Sequence, residues 1–140
     1  MRIQKFIKLA DQLGIDWFVV ADKDSAGDDY VRTVQRLLNG RTQVEYVCQH
    51  PYDVIETFLC MEGYGVVYES NISPQKSSTV TATQGTPDYW KQVVKAQNDK
   101  GKPQVAAQVI DKIEVRGVTG VPQLIREVIE KARARAKAAE

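Results

Sequence analysis

Asp22, Asp24, Glu56 and Lys102 are the residues of this sequence whose types and spacing suit chemistry. Asp22 and Asp24 stand two apart in Val19-Val20-Ala21-Asp22-Lys23-Asp24, directly behind a short apolar run. If extended backbone continues through them, the two-residue alternation of a strand points both side chains the same way. Ligand sites of parallel α/β sheets lie just beyond the carboxyl ends of strands. Two carboxylates placed there repel one another unless a cation neutralises them, and a compact set of hard oxygens suits Mg2+ or Mn2+. The other use of the same residues is a polar strand-to-helix loop in which Asp24 or Ser25 caps the following helix. Glu56 follows the next expected strand, in Asp53-Val54-Ile55-Glu56-Thr57, so a neighbouring parallel strand would deliver a third carboxylate to the same edge. Its plainer role, and that of Asp53, is in a first helical turn, where a carboxylate is favourable. Lys102, in Gly101-Lys102-Pro103, stands at a helix start and would reach a phosphate and stabilise developing negative charge; otherwise it is a solvated loop lysine. No Gly-x-x-x-x-Gly-Lys-Ser/Thr phosphate loop is present.

The elements that must position these residues follow from periodicity. Ile3, Phe6, Ile7, Ala10 and Leu13 form an apolar stripe at helical spacing that Gly14 ends. Residues 16–21 read as a strand buried on both faces, as parallel strands are. A polar loop over 22–27 leads to a helix from about Asp28, with Val31, Val34, Leu37 and Leu38 inward, ending at Asn39-Gly40. Residues 42–47 read as a second strand, and Pro51 opens a helix carrying Val54, Ile55, Phe58 and Leu59. This alternation with short connections predicts a parallel α/β sheet. Residues 63–87 have little apolar periodicity and read as a long, partly mobile loop excursion. Beyond it come a short helix over 88–96, a turn at Asn98-Asp99-Lys100-Gly101, a helix opened by Pro103, breaks at Gly117 and Gly120, and a last helix opened by Pro122. The expected organisation is one domain with an α/β half over 1–62, the excursion over 63–87 and a helical part over 88–140.

Composition excludes whole classes. In 140 residues, 19 Lys plus Arg against 18 Asp plus Glu leave a net charge of +1, with 43% hydrophobic and 26% charged residues. That is too apolar for a disordered chain and too balanced for a histone-like polycation. No apolar run approaches the roughly 20 residues of a membrane span, and Met1-Arg2-Ile3 leads into no apolar signal core. Cys48 and Cys60, with the single histidine His50, support neither a disulfide framework nor a zinc site; a reduced, cytoplasmic setting is expected. His50, Trp17, Tyr30 and Phe58 are read as packing residues, and the basic end Lys131, Arg133, Arg135 and Lys137 as a solvated helix end rather than a nucleic-acid contact.

Three ordered motifs resemble a known family. The stretch from Leu13 to Gly27, containing Val19-Val20-Ala21-Asp22-Lys23-Asp24-Ser25-Ala26-Gly27, resembles the second metal-binding motif of a Toprim domain, and more narrowly the carboxy-terminal Toprim region of the overcoming-lysogenization-defect (OLD) family nucleases. Asp53-Val54-Ile55-Glu56-Thr57-Phe58-Leu59 is similar to that family's next acidic motif, and Gly101-Lys102-Pro103 with Arg116-Gly117-Val118-Thr119-Gly120-Val121-Pro122 to its late lysine motif and final helices. The resemblance implies a Rossmann-like parallel sheet with appended helices and a DNA endonuclease using two metal ions. It also implies that Asp22 and Asp24 hold Mg2+ or Mn2+, Glu56 helps bind the second ion and Lys102 stabilises the transition state. Full-length members carry an amino-terminal ATPase half. The family's first motif, a strand ending in glutamate, has no counterpart, since no Glu precedes Glu45, and Val54 stands where a polar neighbour is usual. The chain is therefore expected to be a fragment of a longer protein, or a decayed or partner-completed half domain. Alone it should cleave weakly or not at all, and an open sheet edge should favour a homo-oligomer or a partner.

Two other classes compete. A non-catalytic interaction or nucleic-acid-binding module would keep the fold without the chemistry. A phosphatase of the haloacid-dehalogenase type also places Asp-x-Asp after a parallel strand, but Ala26 stands where that pattern has Thr or Val, and no later acidic pair is evident.

Overall fold

The computed structural model describes residues 2–98 and 101–138, so Asp99 and Lys100 of the expected turn lie outside the described residues. The chain is a mixed α/β protein, mostly helical, with one small parallel sheet among the described residues. It falls into two compact units: Met1–Asp53 with Gln123–Glu140, and Val54–Pro122. This grouping differs from the one expected from the sequence, because the last helix belongs with the α/β part. No helix among the described residues is long and apolar enough to cross a membrane.

In the first unit, α1 (Arg2–Gln12) ends where Gly14 takes φ 67°, a left-handed turn that glycine adopts without strain. Strand β1 (Val19–Ala21) pairs in parallel with β2 (Val47–Gln49), in the register Val19–Val47, Val20–Cys48 and Ala21–Gln49. Helix α2 (Ser25–Gln35) follows β1 directly, starting three residues earlier than its apolar periodicity suggests, because Asp24 caps it. Ile7, Val19, Val34, Leu38 and Val47 form the buried core, with Ile3, Trp17, Val31, Leu37 and Tyr46 packed against it.

Three expectations are corrected here. First, β1 is not buried on both faces: Val19 and Ala21 are buried but Val20 is 46% exposed, because a strand alternates its side chains and only one face of this two-stranded sheet is covered. Phe6, Leu13 and Tyr30 are likewise exposed rather than inward. Second, residues 43–46 form a helical turn, α3 (Gln43–Tyr46), and the strand starts at Val47. Strand propensity in Thr-Gln-Val-Glu-Tyr-Val is overridden by tertiary contact: Tyr46 meets Trp17 edge-on at 5.0 Å between ring centroids, and Arg135 lies 3.8 Å over the Tyr46 ring. Third, the basic end of α8 (Gln123–Ala138) is not simply solvated. Arg135 donates to the carbonyls of Trp17 (3.0 Å) and Glu45, and Lys131 to that of Val44 (3.4 Å), while Arg133 pairs with Glu130 at the surface. Residues four apart share a helix face, so Lys131 and Arg135 dock α8. The side chain of Lys137 lies outside the described residues.

Asp11 joins α1 to the rest of this unit. Its Oδ1 accepts from Arg41 (2.7 Å) and from the Trp17 indole N–H (2.9 Å), and the Arg41 guanidinium lies 5.3 Å over Trp17. The hydrogen bond from Arg41, then that from Trp17, holds the Asp11 carboxyl below the ordinary carboxylate range. A depressed folded-state value means the unfolded chain takes up a proton first as pH falls. The stability from Asp11 is therefore complete above the ordinary pKa of about 3.9 and is lost as pH drops through the folded value. In urea unfolding, Asp11→Asn should be less stable than wild type by about 1 kcal/mol at pH 6, and the gap should narrow as pH falls below about 3.9. A gap independent of pH would show that the charge of Asp11 contributes nothing.

The second unit is helical. It runs through α4 (Ile55–Leu59), a π-turn over Cys60–Tyr64, α5 (Gly65–Glu69), a 3-10 turn over Pro74–Thr79, α6 (Pro87–Lys95), α7 (Lys102–Arg116) and a 3-10 turn over Gly117–Gly120. Its core is Cys60, Tyr64, Val67, Tyr68, Val93, Val105 and Val109. The expected excursion over 63–87 is thus partly built structure. Helix α5 is too short to show periodicity, yet it buries Val67 and Tyr68, and the Gln92 side-chain oxygen accepts from the Thr81 and Ala82 N–H groups. Gly65 is required where the Trp90 indole packs, since a Cβ there would lie 2.2 Å from the ring.

Candidate functional site

The carboxyl ends of β1 and β2 gather a polar cluster. The strand ends at Ala21, so Asp22 and Asp24 are not held by continuing strand geometry, and each has its own fixing contact. The register that pairs Ala21 with Gln49 sets His50 beside Asp22, and the His50 N–H bonds the Ala21 carbonyl at 3.2 Å. His50 is 1% exposed. Its Nδ1 accepts from the Tyr52 N–H (3.3 Å), which leaves Nε2 as the protonated nitrogen donating to Asp22 Oδ1 at 2.7 Å. The Asp22 side chain itself remains 43% exposed. Asp24 accepts at Oδ1 from the Gly27 N–H (2.6 Å) as the cap of α2, the plainer of the two roles open to it from the sequence.

Gln49 ties the cluster together. Its side-chain Nε2 donates to the Asp22 carbonyl (2.9 Å) and to Asp28 Oδ1 (2.8 Å), and its Oε1 accepts from Lys23 Nζ (3.2 Å). Gly27 lets α2 start this close to the strand, because a Cβ there would stand 1.9 Å from the Asp22 carbonyl oxygen.

These contacts occupy Oδ1 of both Asp22 and Asp24 and leave Oδ2 of each for a ligand. Mg2+ ordinarily keeps several waters and takes one or two carboxylates, so Asp22 and Asp24 supply the number of carboxylates that such an ion takes. Among the described residues no group of three or more His, Cys, Asp or Glu is arranged to hold a metal ion. The pair therefore offers a sparse site.

Glu56 and Lys102 lie in the second unit, where the structure does bring them together. They line one pocket of about 40 Å³ with Tyr68, Val94, Gln97, Val105 and Ala106. Glu56 sits in the first turn of α4 and Lys102 begins α7. The two aspartates and the Glu56–Lys102 pair thus belong to different units. Cys60 is a core residue whose thiol burial pushes up to about 12, which makes it unreactive.

His50, Gln49 and Asp28 were not singled out from the sequence as site residues. The signal for His50 was its place at the end of the second strand, but that strand was expected to finish at residue 47, two positions short of its end at Gln49. Gln97 gave no signal of its own.

A sequence match to a curated protein, "Uncharacterized protein YbjD" of Escherichia coli (strain K12), is 28% identical over 131 residues, which is 92% of this chain. The match covers 22% of that relative's length. No protein-family model matches the chain, and no solved structure matches it.

Proposed function

We propose that this chain is the metal-binding part of a Toprim-type DNA endonuclease, of the kind it resembles in the OLD family, using Mg2+ or Mn2+. The observation that carries this reading is the placement of Asp22 and Asp24 at the carboxyl edge of a parallel pair of strands, where α/β proteins bind ligands. In this reading Asp22 and Asp24 hold the ion, His50 orients Asp22, Glu56 contributes to a further ion and Lys102 meets a phosphate oxygen. A bound divalent ion supplies Lewis-acid polarisation of the phosphoryl oxygen and a water that ionises near neutral pH. The ATPase companion domain belongs to the same proposal, and the occurrence of a similar stretch as 22% of a longer relative is in keeping with it.

A second reading, a non-catalytic module on the same fold, is favoured by the sparse donor set and by the capping role of Asp24. One pair of measurements separates the two. Calorimetric titration with Mn2+ should show binding to wild type that weakens about tenfold or more in Asp22→Ala with Asp24→Ala; equal binding in both proteins defeats the metal reading. Plasmid nicking by the chain alone should be slight, because a misplaced second ion costs orders of magnitude in rate. It should rise when an upstream strand and ATPase half are supplied. Binding without nicking by either protein would support the non-catalytic module.

A further inference from the structure

The pocket of the second unit is lined by Gln97, whose side chain has a polar atom that nothing among the described residues satisfies. Gln97 is 3% exposed. Its side-chain Nε2 donates to the Tyr68 carbonyl (2.8 Å) and the Val93 carbonyl (3.1 Å), which fixes the orientation of the amide. Oε1 is left buried with no hydrogen-bond partner among the described residues. Gln97 lines the pocket together with the half-buried Glu56 and the buried Tyr68, while Lys102 and Ala106 are its exposed members. Burial, and after it the charges of Cys60 and Glu56, pushes the Tyr68 phenol above its ordinary value, so it is a hydrogen-bond donor at neutral pH.

Size and charge decide what fits. The pocket measures about 40 Å³. A single water needs about 10–15 Å³ measured this way and two to four polar partners, whereas an organic ligand needs several hundred. An anion would face the Glu56 carboxylate and the Gln97 oxygen. A cation would face the Lys102 ammonium. A small neutral molecule able both to donate and to accept has no such conflict.

We propose that this pocket is a binding site for ordered water, one molecule of which donates to Gln97 Oε1 and to the Glu56 carboxylate and accepts from the Tyr68 hydroxyl. Three bonds are the usual number for a buried water. The water satisfies the orphaned amide oxygen and links it to Glu56. This site stands on the pocket alone and does not depend on whether the chain binds metal.

The test uses the 140-residue chain in crystals and in solution. A high-resolution crystal structure should show one water within about 3.2 Å of Gln97 Oε1, and water–protein Overhauser measurements should show a long-lived water next to the Val105 methyl groups. An empty pocket, or a protein side chain filling it, overturns the proposal. Tyr68→Phe keeps the ring and removes one of the three bonds, so the water's residence time should shorten about fivefold to tenfold at unchanged fold. An unchanged residence time overturns the assigned bonding. If Tyr68→Phe does not fold, the wild-type measurements still decide.

Discussion

Replacing Gly27 with alanine should destabilise the first unit by about 3 kcal/mol, roughly 10 °C in Tm, and should remove the divalent-cation binding proposed for Asp22 and Asp24. The reason is steric. A Cβ at residue 27 would stand 1.9 Å from the Asp22 carbonyl oxygen, 2.8 Å from its carbonyl carbon and 3.2 Å from Asp24 Oδ1. The nearest atoms belong to the backbone, so no rotamer change can relieve the overlap. Either α2 moves away from β1 or the Asp22–Asp24 segment shifts. The first outcome breaks the cap in which Asp24 accepts from the Gly27 N–H, and the second moves Asp22 off His50. Thermal unfolding and Mn2+ calorimetry on the same variant check both halves. A Gly27→Ala protein with wild-type Tm would show that the close approach of α2 to β1 is wrong.

Loss of the His50 side chain should weaken divalent-cation binding about 10-fold to 100-fold, the usual cost of removing a group that orients a ligand. His50 does not need to touch the ion to have this effect. Its Nε2–H holds Asp22 Oδ1 at 2.7 Å, and its Nδ1 is itself held by the Tyr52 N–H. In His50→Leu the Asp22 carboxylate keeps its solvent exposure but loses the bond that selects its rotamer. His50→Gln retains a side-chain N–H donor and should recover part of the affinity. A merely structural histidine would show the same affinity in wild type, His50→Leu and His50→Gln, with only Tm changing. The comparison needs wild type to bind Mn2+ in the first place, so absence of any binding points to the metal reading itself rather than to His50.

Much of the fold was legible in the local sequence because local physics decides it. The stripe ended by Gly14 placed α1, and Pro103 and Pro122 marked where α7 and α8 start. The alternation of helix and strand over the first sixty residues gave the parallel pair, and Asp-x-Asp behind an apolar run gave the edge at which Asp22 and Asp24 stand. These features depend on a few neighbouring residues: a capping conformation, an apolar period, a residue that cannot continue a helix. Capping of α2 by Asp24 was one of two roles open from the sequence, and the position of Gly27 beside the Asp22 carbonyl decided for it.

What only the tertiary structure decided depends on partners distant in sequence. The second strand spans Val47–Gln49 rather than 42–47 because Tyr46 is claimed by Trp17 and Arg135, and neither contact can be read from residues 42–47. That shift is what seats His50 against Asp22 across 28 positions of sequence. The charged end of α8 reads as solvated until Arg135 is seen to reach the carbonyls of Trp17 and Glu45. Glu56 and Lys102 share a pocket because α4, α6 and α7 pack around Tyr68, and the same packing leaves Gln97 Oε1 buried with no partner among the described residues. Composition and periodicity report which face of an element is apolar. Which element covers that face, and which polar atom is left beneath it, is settled only when the chain closes on itself.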